Sequence, residues 1–203
     1  LGPDLTVDDL LSNGYKAVYL AIGAHKGIDL GVPGEKSKGV RQGVDFLRDI
    51  NLTGKAECGK KLAVIGGGNV AMDSVRTALR TGSAKPFVVY RRTYEEMPAN
   101  REEIEECAEE GIEIMTLVGP LRVLSEKGKV TGLECIKMEL GEPDASGRRR
   151  PVPIEGSEFV IEVDAIISAI GQESDWACLT EECACTLSDW GTIKVDEVTL
   201  QTE

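Results

Sequence analysis

The chain has 203 residues, of which 41% are hydrophobic and 29% charged, and its formal net charge is −12. This acidity argues against a nucleic-acid-binding protein, because a surface that follows phosphates needs clustered positive charge. No apolar run reaches the roughly 18 residues of a membrane-spanning helix, so we expect no membrane span. The chain opens at Leu1 without a secretory signal, and we therefore expect a cytoplasmic protein of which this is an excised piece.

The first half of the chain predicts an open parallel sheet. Residues 8–11 and 44–50 are expected to form short helices. The apolar run 17–22 is typical of a strand buried on both faces. A compact strand at 62–65, a glycine turn, a helix at 69–79 that ends near Gly82, and a strand at 87–90 then form a βαβ unit.

The second half adds a different kind of sheet. A helix at 98–110 and a strand at 112–118 continue the first pattern, and we take the glutamates of that helix as a solvated face. Antiparallel strands are predicted at 121–124, 130–140 and 158–163, with turns at Gly128 and Gly147, before a buried strand at 165–170. Residues 148–150 are three arginines, which we assign to a solvated hairpin tip rather than to a phosphate contact. The predicted fold is α/β: a Rossmann-like domain with a parallel sheet and an antiparallel β-meander.

The central motif is a glycine turn of the form G-x-G-x-x-A between a strand and a helix. Its six residues are Gly66, Gly67, Gly68, Asn69, Val70 and Ala71. The first glycine permits the tight turn, the third lets a pyrophosphate approach the backbone, and the alanine allows close packing of helix on sheet. Amides at the helix N-terminus favour the negative charge of phosphates. The alternative is a glycine-rich turn that binds nothing.

Two arginines replace the acid that an NAD site places after the second strand. Arg91 and Arg92 follow the strand at 87–90. Guanidinium groups attract and bind the 2′-phosphate that distinguishes NADP from NAD. Each charge-assisted hydrogen bond is worth roughly 1.5–3 kcal/mol, so we expect the pair to favour NADP over NAD by about tenfold to several hundredfold. The alternatives are an arginine pair that serves solubility and a protein that prefers NAD.

Catalytic and metal-binding patterns are not evident. The single histidine, His25, has no nucleophile that the sequence places beside it, and we assign no catalytic residue. Asp73 lies in the glycine-motif helix, where we expect local hydrogen bonding. The six cysteines are expected to be reduced thiols. Cys178, Cys183 and Cys185 form a cluster without metal-ligand spacing, and we assign no metal site.

The combination of three motifs resembles a known family. The glycine motif, Tyr90-Arg91-Arg92 and Glu96-Met97-Pro98-Ala99 are together similar to the NADPH-binding domain of the small (beta) subunit of glutamate synthase and of related flavin oxidoreductases. Residues 20–24 and 169–172 resemble the strand-end motifs of these proteins. The resemblance runs along almost the whole chain.

The resemblance implies cofactors and roles. NADPH would bind the glycine motif through its pyrophosphate and Arg91 and Arg92 through its 2′-phosphate. Ala169, Ile170 and Gly171 would form the second strand-end motif at the cofactor. Residues 1–40 would end the first segment of a FAD domain and cross over, 41–175 would be the NADPH domain, and 176–203 would return into the FAD domain.

In such a family the hydride passes from NADPH to FAD and on to iron–sulfur clusters or a partner subunit. FAD and the clusters would be bound only by the full-length protein, through further domains of the same chain. A large synthase subunit or another redox subunit is the implied partner. A dinucleotide-binding sensor without electron transfer is the alternative function. The final electron acceptor and the oligomeric state are not specified by these motifs.

Overall fold

The computed structural model describes residues 4–143, 147–176 and 185–202. Two compact units are present: Gly27–Gly171, and a second one that combines Leu1–Lys26 with Gln172–Glu203. The mixed α/β architecture confirms the predicted fold class. Within the described ranges, no helix is long and apolar enough to cross a membrane.

A five-stranded parallel sheet forms the centre of the Gly27–Gly171 unit. Its strands are β2 (Val40–Gln42), β3 (Lys61–Ile65), β4 (Lys85–Tyr90), β5 (Glu113–Thr116) and β10 (Ala165–Ser168), in the spatial order β2-β10-β3-β4-β5. All pairs are parallel. The sheet therefore brings the residues that follow these strands to a single carboxyl edge, with β3 in the middle.

Helices cover one face of this sheet and an antiparallel sheet covers the other. The helices are α2 (Gly43–Thr53), α3 (Asn69–Arg80) and α4 (Arg101–Glu109). The antiparallel strands are β6 (Val118–Glu126), β7 (Lys129–Pro143), β8 (Arg149–Pro153) and β9 (Phe159–Ile161).

The side chains of strand β3 alternate between two hydrophobic cores, which explains why its sequence is continuously apolar. Leu62 and Val64 pack in the core beneath the helices, whereas Ala63 and Ile65 belong to the core beneath the antiparallel sheet. Because successive side chains point to opposite faces, a strand covered on both faces needs apolar residues at every position.

The predicted βαβ unit is confirmed as β3, α3 and β4. Other expected elements differ in their bounds. The strand predicted at 112–118 ends at Thr116, because Leu117 adopts a left-handed φ of 56° before β6 begins. The helix predicted at 98–110 begins only at Arg101, and the strand predicted at 165–170 ends at Ser168.

The prediction of a solvated hairpin tip at 148–150 was wrong. Arg149 and Arg150 lie in strand β8, which pairs with β7. Two prolines in β8 are tolerated because it is the last strand in the order β6-β7-β8 and needs only one hydrogen-bonded side.

The second unit contains helix α1 (Val7–Ser12), which begins with a capping box between Thr6 and Asp9. The two-residue strands β1 (Lys26–Gly27) and β11 (Gln172–Glu173) complete the described strands. The strand expected at 17–22 is absent from the described part of the chain, and Tyr19 within it is 86% exposed. An apolar run becomes a buried strand only beside a hydrogen-bonding neighbour, and no described strand pairs with it.

Candidate functional site

The glycine turn lies at the carboxyl edge of the sheet, directly after the central strand β3. Gly66 has a φ of 144°, and a Cβ there would stand 2.2 Å from the carbonyl oxygen of Ala169. A Cβ on Gly67 would stand 2.5 Å from the ring of Tyr90. The packing of the chain itself therefore requires these two glycines.

Gly68 differs, because nothing in the described chain requires a glycine there. Its φ is −97°, which any residue adopts, and the nearest atom to a Cβ would be Pro98 Cγ at 3.8 Å. Every other described glycine has either a left-handed φ or an atom within 3.4 Å of an added Cβ. The space beside Gly68 is therefore open, as a bound phosphate group requires.

Helix α3 directs its N-terminus at the same space. Gly68 is its N-cap, and no side chain caps it by a hydrogen bond. The helix dipole and the unbonded amides of a first turn favour an anion. Asn69 is exposed and Val70 half-buried, whereas Ala71 is fully buried against the sheet, as the motif predicts. This turn is the strongest candidate for a pyrophosphate site.

The segment 91–100 folds back over the glycine turn. The amide of Ala99 donates to the carbonyl oxygen of Gly67 over 3.1 Å. The amide of Asn100 donates to Oδ1 of Asn69 over 3.0 Å. Two motifs that are about 30 residues apart in the sequence therefore form one structure at the carboxyl edge.

A capping box that the sequence analysis missed shapes this segment. The carboxylate of Glu96 accepts hydrogen bonds from the amide of Thr93, over 3.1 Å, and from its hydroxyl. The Thr93 hydroxyl, with smaller contributions from main-chain amides and the charge of Arg149, lowers the pKa of Glu96 against the opposing effect of burial. The spacing T-x-x-E is a recognisable sequence signal for such a box. The hydroxyl of Tyr90 also donates to the main-chain oxygen of Glu96, over 2.7 Å.

The two predicted phosphate ligands occupy different surroundings. Arg91 is exposed at the carboxyl end of β4. Arg92 is only 6% exposed, and its Nε donates to the main-chain oxygen of Arg149 over 2.7 Å. Both residues therefore lie at the carboxyl edge of the sheet, where Arg91 is exposed to solvent and Arg92 is buried.

The second strand-end motif meets the glycine turn at the same edge. Ala169 is buried, and its amide donates to the carbonyl oxygen of Ile65 over 2.8 Å. Ile170 is 45% exposed, and the carbonyl oxygen of Gly171 accepts the amide of Ile28. The motif therefore supports the glycine turn structurally, while its contact with a cofactor stays a prediction.

The described cysteines are free thiols. Burial raises the pKa of Cys107 to about 11 and that of Cys135 to about 12, so both stay protonated at neutral pH. Within residues 4–143, 147–176 and 185–202, no group of three or more His, Cys, Asp or Glu side chains could hold a metal ion. Two members of the predicted cluster, Cys178 and Cys183, lie outside these ranges.

Comparison with known families gives a direct result. Residues 4–203 match the family described as pyridine nucleotide-disulphide oxidoreductase. The chain belongs to this family. It is an enzyme family, which agrees with the resemblance noted from the motifs.

The relatives refine this assignment. The chain is 44% identical over 205 residues to the NADPH-Fe(3+) oxidoreductase subunit beta of Geobacter sulfurreducens, covering 99% of this chain and 30% of that protein. It is 45% identical over 205 residues to the NADP(+)-dependent formate dehydrogenase subunit beta of Moorella thermoacetica, covering 100% of this chain and 29% of that protein. The glutamate synthase [NADPH] small chain of Escherichia coli is 39% identical over 84% of this chain and 39% of its own length. The chain thus spans about a third of the curated relatives it matches.

Solved structures share the fold. FprA of Mycobacterium tuberculosis in complex with NADPH superposes with a TM-score of 0.67 at 19% identity, covering 81% of this chain and 51% of that chain. Thioredoxin reductase of T. acidophilum has a TM-score of 0.61 at 19% identity, over 85% of this chain and 49% of that one. At these identities the likeness supports the fold alone.

Proposed function

We propose that this chain is the NADPH-binding part of a flavin oxidoreductase related to the glutamate synthase small subunit. The observation that carries the proposal is the open space beside Gly68. The sequence places a glycine where neither backbone conformation nor packing in the described chain demands one. A pyrophosphate that approaches the backbone explains this glycine, and the dipole of α3 favours the negative charge.

Different residues around this turn bind different parts of the nucleotide. The main chain from Gly66 to Val70 holds the pyrophosphate, and Ala71 lets α3 approach the sheet closely enough to present its first amides. Arg91 and Arg92, at the carboxyl end of β4, together determine the preference for a 2′-phosphate over a free ribose hydroxyl. The fold of segment 91–100 over the glycine turn keeps both parts of the site at a fixed separation.

The chemistry that NADPH supplies in this family is a hydride, and FAD is its acceptor. The protein residues described here bind and orient the nucleotide, and none of them is needed as an acid or base. Electrons would then pass to iron–sulfur clusters or to a partner subunit. Two relatives are named as beta subunits and a third as a small chain, which supports a protein that works within a larger assembly.

Calorimetric titration of the purified protein with NADPH and, separately, with NADH tests the proposal. We expect NADPH to bind at least about tenfold more tightly than NADH, because hydrogen bonds to charged groups contribute roughly 1.5–3 kcal/mol. Raising the ionic strength should weaken NADPH binding more than NADH binding, since the 2′-phosphate contact is ionic. Equal affinity for the two nucleotides would contradict the assigned role of the arginine pair.

A further inference from the structure

Arg92 is attached on two sides to the antiparallel sheet. Its guanidinium Nε donates to the main-chain oxygen of Arg149, on strand β8 and 57 residues away. Its own carbonyl oxygen accepts the amide of Leu117, at the junction of β5 and β6, over 3.0 Å. Leu117 has a left-handed φ of 56°, and its carbonyl oxygen accepts the amide of Met138 on β7. Arg92 therefore contacts strand β8 directly through its side chain and the β5–β6 junction through its main chain, and that junction in turn bonds to β7.

The side chain of Arg149 also ties strand β8 to strand β7. The guanidinium of Arg149 donates to the carbonyl oxygens of Leu140, over 2.6 Å, and Gly141, over 3.1 Å. These bonds hold β8 to β7 next to a shift in strand register between Leu140 and Pro143. The charge of Arg149 also lowers the pKa of Glu96, after the larger effect of the Thr93 hydroxyl.

Arg91 has a different environment. It is exposed at the end of β4, whereas only 6% of Arg92 is exposed. Of the two side chains, Arg91 is the one that solvent and a ligand reach readily. The bond from Nε of Arg92 to the main chain of Arg149 holds this buried side chain against strand β8.

We propose that the two arginines have separate roles: Arg91 contacts the 2′-phosphate, and Arg92 is a positioning residue through which hairpin β7–β8 sets the preference for NADPH. This inference rests on the proposed function and assigns a specificity element outside the parallel sheet. The hairpin holds Arg92, Arg92 fixes the backbone at the end of β4, and this geometry directs Arg91 at the phosphate. Strand β8, which carries Arg149 and Arg150, therefore contributes to the preference for NADPH over NADH.

Three substitutions at Arg92 separate a positioning role from a direct charge contact. In Arg92→Gln the side-chain nitrogen sits at the same number of bonds from the backbone as Nε, so the bond to Arg149 is kept and the charge is lost. Arg92→Met keeps the length without a donor, and Arg92→Lys keeps the charge without the Nε geometry. The measurement is the ratio of NADPH to NADH affinity by calorimetry, with amide hydrogen exchange of β8 as a second readout.

We expect Arg92→Gln to retain the wild-type ratio within about twofold, and Arg92→Met and Arg92→Lys to lower it by about tenfold. Exchange at β8 should increase in Arg92→Met and not in Arg92→Gln. Equal loss in the Gln and Met variants with retention in the Lys variant would show a charge contact and overturn the inference. Unchanged ratios in all three variants would overturn it as well.

If Arg92→Met does not fold, a variant of the exposed residue Arg149 provides a second test. Arg149→Met releases the carbonyl oxygens of Leu140 and Gly141, and we expect the ratio to fall by about threefold. Arg150→Met, on the next position of the same strand, is the matched control and should leave the ratio unchanged. Equal effects of the two variants would indicate general electrostatics and contradict the inference. A wild-type protein without NADPH preference would instead contradict the proposed function itself.

Discussion

The two edges of the parallel sheet offer different kinds of candidate site. The amino edge has a groove of about 400 Å³, lined in part by Lys61, Phe87 and Ile112. Its lining also includes Glu162, whose carboxylate pairs with Lys61 at 3.0 Å. The carboxyl edge has the glycine turn, the N-terminus of α3 and the exposed guanidinium of Arg91. The presence of a groove alone would favour a ligand site at the amino edge. The N-terminal amides of α3 and the open space beside Gly68 favour a site at the carboxyl edge.

A dinucleotide site is marked less by a deep groove than by open space along the backbone beside exposed main-chain amides. In parallel α/β sheets, ligands bind outside the carboxyl ends of the strands, where loops and helix N-termini meet. The amino-edge charges are partly neutralised by each other, as Lys61 and Glu162 show.

Gly68→Val should remove binding of both nucleotides. Its side chain would occupy the space that we assign to the pyrophosphate and keep the phosphates from the first amides of α3. Loss of two charge-assisted hydrogen bonds corresponds to a more than 100-fold loss of affinity, at about 1.5–3 kcal/mol for each bond. Calorimetric titration with NADPH and NADH measures it.

A glycine substitution elsewhere in the chain is the control for this variant. Gly128→Ala places a side chain at a φ of 77° in the turn before β7, away from the glycine turn. It should cost about 1 kcal/mol of unfolding free energy without changing NADPH affinity. Retained binding in Gly68→Val would contradict the placement of the pyrophosphate.

Arg91→Gln should lower NADPH affinity by about tenfold or more and leave NADH affinity nearly unchanged, because only NADPH carries the 2′-phosphate. Lys85→Gln removes one positive charge from the opposite end of the same strand and is the control for net charge. The two variants are compared by calorimetry at low and physiological ionic strength. Equal losses in both would mean that overall charge, not the carboxyl edge, selects the nucleotide.

The Thr93–Glu96 capping box predicts a pH dependence. The lowered pKa means that the folded protein favours the carboxylate, so Glu96 contributes stability above its ordinary pKa of 4.5. That contribution, about 1.5 kcal/mol for a hydrogen bond to a charged group, should be lost as the pH falls below 4.5 through the folded-state pKa. Unfolding free energy measured against pH should show this loss in the wild type and not in Glu96→Gln.

Glu95→Gln is the matched control for this experiment, because Glu95 is an exposed neighbour in a surface pair with Arg101. Its pH profile should follow that of the wild type. A Glu96→Gln profile identical to the wild type would show that the capping box does not stabilise the segment.

Filling the amino-edge groove should have the smallest effect. Ala84 lines the groove and is exposed, so Ala84→Trp places a large ring in it without disturbing the core. We expect NADPH affinity to stay within about twofold of the wild type, a difference below 0.5 kcal/mol. A loss comparable to that of Gly68→Val would move the site to the amino edge.

The sequence predicted the parts of the site that are local in the chain. Strand β3, the glycine turn and helix α3 follow one another within 20 residues, and their hydrophobic periodicity and glycine spacing determine them. The run at 17–22 shows the limit of the same reasoning. Apolar composition indicates a strand only if a neighbouring strand is available, and periodicity does not identify neighbours.

The non-local parts of the site were not predictable in this way. Arg91 and Arg92 are adjacent and chemically identical in the sequence, and the burial of Arg92 and its bond to Arg149 distinguish them in the structure. Strand β8 reads as a loop because its arginines and prolines are turn-like residues, whereas pairing with β7 makes it an edge strand. The capping box at Thr93 was available from spacing alone and was missed because the segment contains no apolar periodicity.

Amide chemical shifts of the isotopically labelled protein, followed during titration with NADPH, show where the nucleotide binds. We expect the largest changes at the carboxyl edge, at Gly67, Gly68 and Asn69, with smaller changes at Arg91. The amides of Lys61, Lys85 and Glu113 at the amino edge should not move. The largest shifts at those amino-edge residues, with the glycine turn unaffected, would contradict the account.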